Sequence, residues 1–150
     1  MQFGALVVER LFRNKLQRGL LNLFDMRLRE QIINNYIEAY NRFDIEGMMI
    51  DIDTSIKFQN ITDGTTDMVL DGLEAFKKQA YLARDLFSER KQTIRSFKHQ
   101  ADQTEIDIDY RGVLAGDLPN GLKKGTVLNL TGRSIFKFLN GKIVELIDIS

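Results

Sequence analysis

The sequence predicts an α+β fold, a curved antiparallel sheet wrapped around helices to form a cone with an internal pocket. Three observations carry this. Residues 125–150 hold two strand-like runs, Val127–Leu139 and Lys142–Ile149, on either side of Asn140-Gly141. Asn-Gly between β-rich runs is a strong hairpin signal, because a type I′ turn needs positive φ at both central residues. Leu28, Ile32, Ile33, Tyr36, Ile37, Tyr40 and Phe43 are spaced as one face of an α-helix. Finally, the order is helix, helix, short hairpin, helix and then four long strands, so one sheet face has to cover the helices' apolar stripes. The open end of such a cone is a natural pocket.

Composition narrows the function classes. The length of 150 residues suits one domain with a real core. Acidic and basic residues balance at 21 each, so no global field favours nucleic acid, and no nucleic-acid partner is expected. The chain has no cysteine and a single histidine, His99, which leaves no thiol chemistry and little for a zinc or iron centre. No spaced acidic motif suggests an oxygen-ligated metal, and neither metal nor cofactor is expected. No apolar run approaches the ~20 residues of a membrane span, and a cytoplasmic location is expected.

Residues 1–25 are apolar and basic, with Arg10, Arg13, Lys15 and Arg18 among leucines and phenylalanines. A membrane-surface helix fits that interleaving, whereas a signal peptide is disfavoured because Glu9-Arg10 cuts the apolar stretch short. The simplest reading is an N-terminal extension, helical or accessory, to a domain over residues 26–150. The first patterned helix covers Arg27–Phe43. Asp44 can cap a short second helix, Ile45–Asp51, which Gly47 weakens. Ser55–Asn60 and Asp67–Leu70 are strands around the turn Thr62-Asp63-Gly64-Thr65. Asp71 and Glu74 make a capping-box pattern for a helix that ends near Ser88. Thr93–Ala101 and Thr104–Leu114 are strands, the second alternating Ile106, Ile108, Tyr110 against Glu105, Asp107, Asp109, Arg111. The acidic row is expected to face away from the core, and His99 to lie at the surface or pocket rim without a catalytic role.

Three local stretches resemble the SnoaL-like superfamily, which includes the polyketide cyclase SnoaL, limonene epoxide hydrolase, ketosteroid isomerase and the nuclear transport factor type of domain. Residues 36–47, YIEAYNRFDIEG, are similar to the isomerase's first helix. Phe58-Gln59-Asn60 resembles the cyclase and hydrolase segments, and residues 136–143, FKFLNGKI, followed by Asp148 resemble both enzymes' last hairpin. The resemblance covers about residues 28–150. It implies a catalytic set of Asp148 as acid/base, Asn60 as holder of water or substrate and Tyr36 as hydrogen-bond donor. Phe58, Ser134, Tyr110 and Tyr40 would contact substrate.

Departures limit the analogy. Asn60 stands where the isomerase has its aspartate base, Ser134 where it has its second donor acid, and Phe58 where the hydrolase has a tyrosine. The hydrolase's Arg-x-Asp is met only by Asp109-Tyr110-Arg111, in reverse order, and a cyclase histidine falls at Ser134. The expected function is therefore acid/base chemistry, whether cyclisation, isomerisation or epoxide hydrolysis, on a small apolar molecule in the cone. The alternative is a non-catalytic ligand-binding or dimerisation module. A homodimer is expected, because four long strands and three helices do not cover both faces of the sheet. Membrane contact through residues 1–25 is the less favoured reading of that segment.

Overall fold

A computed structural model describes residues 2–150, so Met1 of the extension lies outside the described residues. The element order is α1 (Gln2–Asn41), α2 (Ile45–Met49), β1 (Ile52–Thr62), β2 (Thr65–Asp71), α3 (Leu73–Arg84), β3 (Phe87–His99), β4 (Gln103–Leu114), β5 (Val127–Leu139) and β6 (Lys142–Ile149). The strands form one sheet in the order β2-β1-β6-β5-β4-β3, antiparallel throughout except for the parallel pair β1 and β6. The helices lie against one face of this open, curved sheet.

The turn chemistry fixes the hairpins. Asn140 and Gly141 have φ of 51° and 74°, and Asp63 and Gly64 have 49° and 76°, the left-handed pairs that a two-residue connection requires. Side-chain alternation then settles which residues enter the core. On β6, Ile143 and Leu146 are fully buried, and Phe136 on β5 faces Leu146 across the ladder. Burying a phenylalanine of this kind contributes about 1.5–3 kcal/mol. Tyr36 on α1 meets the Phe136 ring edge-on at 5.7 Å, which seats α1 in the cone.

Helix α1 runs unbroken from Gln2 to Asn41, and its two parts differ in environment. Residues 5–20 are exposed, whereas Arg29, Ile32, Ile33, Tyr36, Ile37 and Ala39 are buried. Arg29 ties the helix to the β3–β4 connection. Its guanidinium donates to the carbonyls of Gln100, Gln103 and Ala101 at 2.9, 3.2 and 2.7 Å and pairs with Asp25 at 2.7 Å. Asp44 caps α2 by accepting from the Gly47 N–H at 2.9 Å. Gly47 is required there, because a Cβ would lie 2.3 Å from Asp44 Oδ2; it permits the cap rather than merely weakening the helix.

Three expectations need correction. Asp71 does not cap α3: it ends β2 opposite Lys57, and Gly72, at φ 89°, is the N-cap without a side-chain bond. Helix α3 stops at Arg84, and β3 begins at Phe87, six residues ahead of the expected Thr93. The reason is tertiary. Phe87 packs on Tyr110 with ring centroids 5.9 Å apart, and Gly112 leaves the room, since a Cβ there would lie 2.8 Å from the Phe87 ring. His99 is neither at the surface nor on a pocket rim. Its Nδ1 lies 2.9 Å from Thr104 Oγ1 and its Nε2 2.7 Å from Glu30 Oε1, so it bridges β4 to α1 with its side chain 15% exposed.

The charged row of β4 faces outward and is paired. Arg133 meets Glu105 at 3.3 Å, Ser96 donates to Asp107 at 2.8 Å, and Arg95 pairs with Asp109. Arg111 meets Glu89 at 3.1 Å on the same face.

Candidate active site

One transverse row of the sheet gathers the polar candidates. Ile106, Ser134, Asp148, Asn60 and Met68 stand side by side on β4, β5, β6, β1 and β2. The row runs under a cavity of about 220 Å³ in the cone. Helix α1 contributes Tyr36 and Tyr40 to the cavity wall, α2 contributes Met48, and α3 contributes Phe76, Gln79, Ala80 and Ala83. Phe58, Asn60, Met68, Leu70, Arg90 and Asp148 complete it from the strands. The volume is below the roughly 300–1,000 Å³ of drug-sized ligand sites, so the occupant is small.

Asp148 is the carboxylate in this wall. Burial pushes its pKa up from 3.8 to about 6, and a hydrogen bond from Ser134 Oγ to Oδ1 at 2.6 Å pulls the other way. Burial wins because desolvation penalises the charged form and a single hydroxyl compensates only part of it. A carboxyl that titrates there can both take and return a proton near neutral pH.

Tyr36 is buried, and its hydroxyl makes no hydrogen bond among the described residues. Burial, reinforced by the nearby Asp148 charge, raises its pKa well above 10, so it remains a donor. Asn60 spends its amide N–H donors on Asp67 Oδ1 at 2.8 Å and Thr62 Oγ1 at 3.2 Å. Only its carbonyl oxygen is left for a ligand or water, so Asn60 can accept but not donate. Tyr40 and Phe58 line the cavity, and Ser134 reaches it through Asp148. Tyr110 is not in the wall: its hydroxyl meets that of Tyr40 at 3.5 Å, and burial raises its pKa.

Sequence reasoning missed Arg90. It is 5% exposed and lines the cavity; its Nε donates to the Tyr40 carbonyl at 2.9 Å, and its guanidinium carbon lies 3.7 Å from the Tyr40 ring centroid. In the sequence it sits in Ser88-Glu89-Arg90-Lys91-Gln92, a polar run without strand alternation, and no local signal marks it as interior. A larger groove of about 880 Å³ lies elsewhere, lined by Lys91, Asp109, Arg111 and Asn129 among others. Its Asp109 is paired with Arg95 on the outer sheet face, and the candidate site is the smaller cavity. Among the described residues no three His, Asp or Glu side chains gather as a metal site requires.

Solved structures share this architecture. A candidate polyketide cyclase from Xanthomonas campestris superposes with a TM-score of 0.66 at 18% identity, covering 83% of this chain and 90% of that one. IdmH, a candidate polyketide cyclase from Streptomyces antibioticus, gives 0.67 at 17% identity over 80% and 89%. A candidate SnoaL-like polyketide cyclase from a Jannaschia species gives 0.68 at 10% identity over 81% and 84%. The chain has the SnoaL-like fold. No protein-family model and no curated protein sequence matches it.

Within this SnoaL-like cone, Asp148 and Asn60 meet because β1 and β6 run parallel and in register. The hairpin pattern alone would not bring β1 beside β6, since the two strands lie at opposite ends of the domain. Among the described residues, no helix is long and apolar enough to cross a membrane.

Proposed function

We propose that this protein catalyses proton transfer on a small, largely apolar molecule held in the cone, with Asp148 as the acid/base. The raised pKa of a carboxyl that lines an apolar cavity supports this reading most strongly. In its ionised form Asp148 takes a proton from a carbon next to a substrate carbonyl, and the electron pair moves to the carbonyl oxygen. Tyr36 donates a hydrogen bond to that oxygen, where the charge develops. The enolate carbon then attacks a second carbonyl of the same molecule in an aldol-type cyclisation, and the proton on Asp148 passes to the new alkoxide. Reprotonation at another carbon gives an isomerisation from the same intermediate. If Asp148 instead takes its proton from water, the resulting hydroxide attacks an epoxide carbon, the bond from that carbon to the ring oxygen breaks, and Asp148 returns the proton to that oxygen. Asn60 positions the substrate or water through its carbonyl oxygen.

The test is turnover of a panel of small 1,3-dicarbonyl, polyketide-like and epoxide substrates by the unaltered chain, Asp148→Asn and Tyr36→Phe. Turnover that vanishes in Asp148→Asn and falls about 10²-fold or more in Tyr36→Phe is expected. Turnover untouched by Asp148→Asn would refute the reading. Bound ligand without any turnover would point to a binding module.

The proposal includes a two-fold dimer through the outer sheet face, where Ile135 and Ile147 stand opposite each other and Val69 is 59% exposed. Sedimentation at micromolar concentration should give twice the 17.3 kDa chain mass; a monomer would contradict it.

A further inference from the structure

The cavity wall holds a buried cation, Arg90, in direct contact with no carboxylate among the described residues. It is 5% exposed. Among the described residues only Nε of its three guanidinium nitrogens has a protein acceptor, the Tyr40 carbonyl at 2.9 Å, and Nη2 is buried without a hydrogen-bond partner. The faces of Tyr40 and Phe43 lie 3.7 and 4.6 Å from the guanidinium carbon. These contacts fix the plane of the group and offset part of its desolvation.

A structural role explains some of this. Tyr40 is in the last turn of α1, which has no basic residue of its own, and a cation there suits the helix dipole. That accounts for the charge and for Nε. It does not account for Nη2, because leaving a buried, charged donor unsatisfied is costly. Buried guanidiniums normally have their donors met by carboxylates, carbonyls or phosphates.

We propose that Arg90 is the anion-recognising residue of the cavity, and that the ligand carries a delocalised oxyanion, a carboxylate or an enolate, on a small apolar body. The oxyanion accepts from the Nη face of Arg90, while Phe58, Leu70 and Phe76 hold the apolar part. A planar oxyanion suits a planar fork better than a neutral carbonyl does, and the dry surroundings strengthen the pairing. The inference rests on the cavity being the ligand site but not on turnover at Asp148.

The experiment is calorimetric titration of the full chain with benzoate, the enolate of 1,3-cyclohexanedione and, as the neutral comparison, benzamide. At least one of the anions should bind about tenfold or more tightly than benzamide. Arg90→Gln should lose that preference and keep the benzamide affinity. Asp148→Asn should keep it, and tighten anion binding at pH 7.5 by removing a negative charge from the wall. The two anions separate a carboxylate ligand from an enolate. Equal binding of anions and amide, no binding of any of the three, or an anion preference unchanged in Arg90→Gln would each overturn the proposal.

Because Arg90→Gln could fail to fold, the Arg90 side-chain nitrogen resonances of the unaltered chain provide a second reading. They should move on saturation with the preferred anion and not with benzamide; no movement would overturn the proposal. Anion binding without Asp148-dependent turnover would refute the proton-transfer reading alone. Equal binding of anions and amide with Asp148-dependent turnover intact would refute the anion assignment alone.

Discussion

Ser134 stands directly opposite Asp148 in the β5–β6 ladder, and its Oγ donates to Oδ1 at 2.6 Å. Both side chains point into the cone, so the bond is made beside the cavity. Ser134 lowers a carboxyl pKa that burial raises, and the balance lies at about 6. Ser134→Ala removes the lowering contribution alone. The carboxyl should then titrate above about 6, and the rising limb of any base-catalysed rate should shift to higher pH by the same amount. A pH–rate profile of both proteins checks this.

Asp148 should also shape stability. Its folded pKa lies above that of the unfolded chain, so the folded state holds the proton more tightly. The stability this supplies is complete below pH 3.8 and is lost as pH rises to about 6. A shift of this size corresponds to about 3 kcal/mol. In Asp148→Asn this fall should be absent, leaving the variant more stable than the unaltered chain above pH 6 and much closer to it at pH 4. Urea unfolding at both pH values measures the difference. A variant destabilised at pH 7 would mark Asp148 as a structural partner.

The first turns of α1 should be dispensable to the domain. Leu6, Phe12, Leu16 and Leu20 are 54–67% exposed and add nothing to the core. A chain beginning at Met26 loses the Arg29–Asp25 pair, in which Asp25 is 52% exposed. Such a pair is worth about 1 kcal/mol or less. The melting temperature should therefore stay within a few degrees by calorimetry. A loss of several kcal/mol would place the segment in the core. Binding of the full chain to anionic vesicles, absent in the shortened one, would give the exposed leucines and basic residues a membrane-surface role.

Much of the fold was legible because turn chemistry and alternation are local. Asn140-Gly141 announced its hairpin, and the two-residue period of β6 separated Glu145, which pairs with Lys137 at 3.2 Å on the outer face, from Asp148 on the inner. What could not be read depends on contacts distant in sequence. The early start of β3 follows from Phe87 seating beside Gly112, and the bridge from His99 to Glu30 spans 69 residues. Asn60 donates to Asp67 across a hairpin whose register shifts at Asn60/Ile61, so spacing gave no warning that its amide was committed. Arg90 was hidden in the same way, since only strand pairing turns it inward.

The account depends most on the state of one carboxyl. A carbon-detected NMR titration of the Asp148 side chain in the full chain, from pH 3 to 9, measures it without any substrate. A midpoint at about 6 is expected, moving upward in Ser134→Ala. A midpoint at the ordinary 3.8, unaffected by Ser134→Ala, would mean that Asp148 is solvated and unpartnered, and would contradict the assignment of an acid/base centre.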